Sequence, residues 1–175
     1  MLKKWEKILQ KTRFFYKHFY SKKQRLRISI NSEPKFYEYR TSIKWIGEKK
    51  GKLSSKGKPD LEIACPPEFG GHENIWSSED IFLASIEACT MTTFVHFANI
   101  TSIGLISYDS KAIGKVKIEN NSYIFDSVNI QMKIKVKTDR DKKKVERMLK
   151  HIKKTCLISN SIKSKIDYKT EIIVG

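Results

Sequence analysis

The stretch SEDIFLASIEACTMTTFVHFA, residues 78–98, decides how this chain is read. It is apolar on nearly every side, which marks a central helix covered by other elements rather than one lying half in water. Ser77 followed by Asp80 supplies a capping box at its start. Asp80, Glu87 and His96 interrupt the run, so no segment is expected to offer the roughly 18 uncharged residues that cross a bilayer. A single cysteine, Cys89, sits inside the helix, and Cys156 waits at the end of another. A thiol so placed is either inert packing or a reactive group held away from water, and the two residues alone leave both readings open.

Working outward, residues 36–46 (FYEYRTSIKWI) predict a strand, followed by a turn over Gly47 to Gly51 and a second strand near Leu61 to Cys65. Pro66 and Pro67 end that strand because proline offers no ladder donor. Phe69-Gly70-Gly71 permits an irregular loop before the long helix. Strands at about 104–118 and 122–137 follow, joined through Asn120-Asn121, and Val128, Ile130, Met132, Ile134 and Val136 alternate with polar residues at period two. Thr138 with Asp141 caps a second helix striped by Val145, Met148, Leu149 and Ile152. Cys156 continues the stripe and should point inward, and a strand at about 166–174 completes the order. The expected class is α+β, with antiparallel sheets wrapping two central helices. The main helix is too apolar for one small chain to cover, which argues for a dimer.

A chain of 175 residues with 39% apolar content suits one domain plus an appendage. Residues 1–30 hold ten Lys/Arg against one acid, Glu6, and so +9 of the net +16. Trp5, Ile8, Leu9, Phe15, Tyr16 and Phe19 recur there at helical spacing among the lysines, a basic amphipathic pattern. Such a segment docks on its own domain or meets anionic lipid or nucleic acid; a cleavable targeting peptide is a further possibility. The division is therefore 1–30 for this segment and 31–175 for the folded domain. Three cysteines with no CxxC pair and no secretory signal fit a reducing, cytoplasmic setting. Cys65, beside the double proline, reads as packing. His72 and His96 lack metal-ligand spacing, and no HExxH, GxSxG or phosphate loop occurs, so no metal or cofactor is expected.

The segments PPEFGG (66–71), SSEDIFLASIEACTMTTF (77–94) and TCLISNSIKSKID (155–167) together resemble the OsmC/Ohr family of thiol peroxidases, in the family's order and with similar gaps. The resemblance implies an intertwined homodimer that reduces hydroperoxides with a small or lipoyl-type dithiol as reductant, in oxidative stress defence. Cys89 matches the cysteine that attacks the peroxide, and Cys156 matches the one that resolves the product. Glu79, ten residues before Cys89, matches the family's supporting glutamate. The family's activating arginine is replaced: Lys49 takes its place when the chains are aligned on Gly47 and Gly51, with Lys50 and Arg40 as other sources of charge. Lysine cannot make the planar two-pronged bridge that guanidinium makes, and Lys49 also reads as a solvated turn residue. Ten residues along one helix is a rise of about 15 Å, so Glu79 and Cys89 of one unbroken helix do not touch. Glu87 faces nearly the opposite side from Cys89. Two rival readings are a non-catalytic OsmC-like small-molecule binder and a basic membrane- or nucleic-acid-associated module.

Overall fold

The computed structural model describes residues 34–175, and the basic segment 1–30 lies outside the described residues. The chain divides into two units, Met1–Arg40 and Thr41–Gly175. In the first, residues 34–40 carry no regular secondary structure. The strand expected from residue 36 begins only at Ser42, because aromatic β propensity makes a strand only where a neighbour pairs with it, and among the described residues none pairs with 36–41.

The second unit opens with a three-stranded sheet in the order β1 (Ser42–Gly47), β2 (Lys50–Ser54) and β3 (Leu61–Ala64), antiparallel throughout. The predicted Gly47–Gly51 turn is shorter than expected: Gly47 pairs with Lys50, and β2 is a strand that the sequence reading missed. Its residues, KGKLS, hold one large apolar side chain, so no period-two signal marks it.

Helix α1 (Ser78–Ile100) follows, started by the expected capping box: the Asp80 amide donates to Ser77 Oγ at 3.1 Å and the Ser77 amide to Asp80 Oδ2 at 2.9 Å. Strands β4 (Leu105–Glu119) and β5 (Ser122–Val136) form a long hairpin through Asn120 and Asn121, both at positive φ, the geometry that a tight two-residue hairpin turn requires. Helix α2 (Asp139–Thr155), the short α3 (Leu157–Ser161) and β6 (Lys165–Val174) complete the order. β6 pairs with β5 in parallel, so this sheet is mixed rather than wholly antiparallel. The α2–α3 crossover brings the chain back to the same end of the sheet, which dictates the parallel sense.

The core lies between α1, α2 and the inner face of the β4–β5–β6 sheet. Val128, Ile130, Met132, Ile134 and Val136 all face it, as their alternation predicts. From α1 only Ile86, Thr90, Phe94 and Ala98 are buried, a single stripe, so the described residues do not cover the helix on most sides. By length and composition α1 does qualify as a membrane-crossing helix, against the expectation, because its ionisable residues are few. Its buried stripe belongs to the domain core, and Glu87 accepts a hydrogen bond from Ser110 of the sheet at 2.7 Å.

Candidate active site

Cys89 lies midway along α1, and Cys156 occupies the junction between α2 and α3, with extended backbone angles that break the two helices apart. The Cys156 amide closes α2 on Ile152 O, while its carbonyl opens α3 by accepting from Asn160. This places Cys156 Sγ 2.9 Å from Cys89 Sγ, one thiol donating to the other. Cys156 is fully buried, whereas Cys89 is half-buried and reachable. A disulfide is about 2.05 Å long, so bond formation calls for a sulfur shift of less than about 1 Å.

The environment divides the charge unequally between the sulfurs. Burial pushes the Cys89 thiol up, and the neighbouring Cys156 adds to this; the Ile158 N–H and the Thr93 hydroxyl pull the other way without prevailing. Burial also acts to raise Cys156, but the hydrogen bond shared with Cys89, the Ser159 hydroxyl and amide and the Thr90 hydroxyl together bring it below its ordinary value. Of the two sulfurs, Cys156 is therefore the one drawn below its ordinary value and Cys89 the one pushed above it. Reactivity at Cys89 requires a cation from elsewhere.

Neither predicted supporting charge supplies it within the chain. Lys49 lies in the β1–β2 turn, where its ammonium donates to Phe69 O at 2.6 Å. Glu79, in the first turn of α1, accepts from Ser78 Oγ at 3.0 Å. Neither is among the groups that set the ionisation of Cys89. Lys50 pairs with Glu48 at 3.7 Å, and Arg40, in the other unit, pairs with Glu38 at 2.6 Å. Glu87 faces the sheet, away from Cys89.

The loop beneath Lys49 is held tightly. A side chain at Gly71 would stand 1.7 Å from Cys65 O, so only glycine lets the two backbones meet there. The Cys65 amide donates to Lys49 O, and its half-buried thiol to Phe69 O at 3.7 Å. His72 Nε2 lies 2.9 Å from Glu48 Oε2, and the His96 ring packs on Phe97. Among the described residues no cluster of three or more His, Cys, Asp or Glu could hold a metal ion.

The sequence reading held Ser159 only as part of the segment 155–167, with no role assigned, and did not single out Tyr168. Ser159 Oγ lies 3.0 Å from Tyr168 Oη and acts on the Cys156 sulfur. The only trace in the sequence is a serine three residues after a cysteine that ends a helix, the spacing at which a capping side chain meets the next turn.

An α+β domain that sets a thiol of its central helix against a thiol at a helix junction defines a two-cysteine domain. The OsmC-like protein family model matches residues 71–171, more than half of the chain, and the chain belongs to that family. Solved structures share the fold. An OsmC-like protein of unknown function from Vibrio cholerae gives a TM-score of 0.70 at 18% identity, over 79% of this chain and 100% of that one. An organic hydroperoxide resistance protein OsmC from Legionella pneumophila gives 0.60 at 20% identity, over 81% and 100%. Another organic hydroperoxide resistance protein, from Elizabethkingia anophelis, gives 0.62 at 18% identity, over 82% and 100%. Among curated proteins none matches.

Proposed function

We propose that the protein is a thiol-dependent peroxidase for organic hydroperoxides that works through a Cys89–Cys156 disulfide. The observation that carries this reading is the 2.9 Å contact between a reachable and a buried sulfur. The Cys89 thiolate attacks the O–O bond, taking one oxygen as a sulfenic acid and expelling an alkoxide that leaves as alcohol after protonation. Cys156 then displaces the hydroxyl as water, and a dithiol, small or lipoyl-type, reduces the disulfide by exchange. No cofactor enters the cycle.

The cation comes from a second copy. Lys49 and Glu79 act on Cys89 across a homodimer interface, and the apolar surface left on α1 and on β1 supports such an assembly: Met91 is 40% exposed, Ile43 62% and Trp45 72%. Three free thiols support a reducing, cytoplasmic location.

One observation favours the rival reading of a non-catalytic OsmC-like binder: burial pushes the Cys89 thiol up, and among the described residues no cation offsets it. The experiment that separates the two is a single equivalent of tert-butyl hydroperoxide added to the reduced protein, followed by mass spectrometry and by turnover with dihydrolipoamide against a monothiol. A Cys89–Cys156 disulfide and dithiol-dependent turnover are expected. An unmodified Cys89 together with saturable ligand binding would establish the binder instead.

A further inference from the structure

The third thiol, Cys65, stands against an amine. The antiparallel register of β2 and β3 matches Lys50 with Ala64, and one step beyond the strands it matches Lys49 with Cys65, whose amide donates to Lys49 O at 3.0 Å. Side chains directly opposite in such a pair lie on the same face, with Cβ atoms about 4.5–5.5 Å apart. Here they also converge, because the Lys49 ammonium and the Cys65 thiol donate to one oxygen, Phe69 O, at 2.6 Å and 3.7 Å. Nζ and Sγ are therefore no farther apart than those two contacts laid end to end, a gap that the flexible lysine stem can close. The thiol is half-buried and the lysine exposed, so the pair is open to solvent on the lysine side.

The local sequence decides which bond an oxidised Cys65 makes. A sulfenic acid condenses with a thiol or with a nearby nitrogen, often that of the backbone. The two other thiols, Cys89 and Cys156, face each other at 2.9 Å. The residue after Cys65 is Pro66, followed by Pro67, and neither carries the amide hydrogen that a backbone condensation must lose. The nitrogen placed to react is that of Lys49.

We propose that Cys65 and Lys49 form a reversible sulfur–nitrogen cross-link under excess hydroperoxide, which removes the charge of Lys49 and so slows the enzyme. The bond stands on the geometry alone, while the slowing rests on the peroxidase reading, in which Lys49 serves Cys89 of a second copy. In the first step the Cys65 sulfur takes one oxygen of the hydroperoxide as the O–O bond breaks, and the alkoxide leaves as alcohol with the thiol proton. The sulfur is oxidised and the peroxide reduced by one electron pair. The Lys49 nitrogen, after losing one proton to solvent, forms the S–N bond as the S–O bond of the sulfenic acid breaks, and the departing hydroxide takes a second proton from nitrogen to leave as water. The product nitrogen is no longer an ammonium. A dithiol undoes the bond: one thiol attacks the sulfur and releases the amine, and the other displaces Cys65 from the mixed disulfide. The reductant that serves catalysis thereby also restores Lys49.

Two measurements on the full chain test the proposal. The first treats the Cys89→Ser/Cys156→Ser variant, in which Cys65 is the one thiol left, with excess tert-butyl hydroperoxide and maps its peptides by mass spectrometry. A linked pair of peptides joined at Lys49 and Cys65, two hydrogens lighter than its parts and separated again by dihydrolipoamide, is expected. Adding Cys65→Ser or Lys49→Arg should abolish it, the latter because guanidinium keeps its proton and offers no nucleophile. The second measurement follows turnover of the parent and of Cys65→Ser at fixed dihydrolipoamide and rising peroxide. The two should be equal at low peroxide. At high peroxide the parent should fall about tenfold, one pKa unit of Cys89 thiolate, and recover when more dithiol is added, while Cys65→Ser holds its rate. Cys65 recovered unmodified or as sulfinic acid, with no linked peptides, would overturn the cross-link. Linked peptides together with equal inhibition of parent and Cys65→Ser would overturn its control of the rate. Linked peptides in a protein that never turns over would overturn the peroxidase reading and leave the bond standing.

Discussion

The two sheets of this domain differ in what they bury. The β4–β5–β6 sheet with α1 and α2 holds almost the whole core, with Ile86, Phe94, Val128, Ile130, Ile134 and Ile152 shielded almost completely from water. The β1–β2–β3 sheet buries only Gly51 and Ala64 and leaves Ile43, Trp45 and Ile46 exposed. The division also separates the chemistry: both sulfurs belong to the self-sufficient half, whereas Lys49 sits on the half with no core of its own. On the proposed reading, the dithiol is complete within one chain while its activation depends on another surface.

The largest expected effect tests how self-sufficient the first half is. Phe94→Ala removes a fully buried ring from the centre of the core and should cost about 3–5 kcal/mol in denaturant unfolding. Trp45→Glu, on the exposed sheet, should change folding stability of the monomer by less than about 0.5 kcal/mol while abolishing self-association in sedimentation. Comparable losses of stability from both would erase the contrast.

Next in size is the charge. Lys49→Ala should slow Cys89 sulfenic acid formation at neutral pH by about tenfold, one pKa unit of thiolate, and Lys49→Arg should speed it, because guanidinium stays charged when desolvated and can bridge Glu79 and peroxide. Stopped-flow oxidation measures both. If both variants match the parent, Lys49 is a surface residue whose role ends at Phe69.

The smallest effect concerns the start of α2. Thr138 accepts from the Asp141 amide at 3.1 Å and donates to Asp141 Oδ2 at 2.7 Å, and Thr138→Ala should cost about 1 kcal/mol. The Thr138 hydroxyl, chiefly, and Lys144 hold the Asp141 carboxyl below its ordinary value despite partial burial. A depressed folded-state value contributes stability above the unfolded carboxylate's pKa, and this is lost as pH falls through the folded one. In Thr138→Ala the acid limb of the stability curve should flatten, as pH-dependent thermal unfolding would reveal.

What could be read from the sequence follows the same division. The β5 alternation, both helix caps and the inward stripe leading to Cys156 were legible because a residue facing a core must repeat at the period of its element. β2 and the start of β1 were not, since lysine and glycine leave β2 without an apolar alternation and the aromatics before Ser42 find no pairing strand among the described residues. Cys89 and Cys156 were recognisable through the motifs around them. Ser159 and Tyr168 were not, because a serine on α3 and a tyrosine on β6 meet only once the crossover has placed the parallel strand.

The β4–β5 hairpin has one more consequence. Its strands, 15 residues each, extend about 50 Å at strand rise, whereas the 23-residue α1 extends about 35 Å. The ribbon is therefore longer than the helix, with Val116, Ile118 and Tyr123 largely exposed near its tip, where the Tyr123 ring meets Phe69 edge-on. A two-stranded ribbon is marginal by itself. Amide exchange should accordingly run along β5 as a gradient, slow at Ile134 and fast at Tyr123, and raising the protein concentration should flatten it from the tip inward. The hairpin would then serve as a gauge of crowding, ordered where copies are plentiful and frayed where they are scarce.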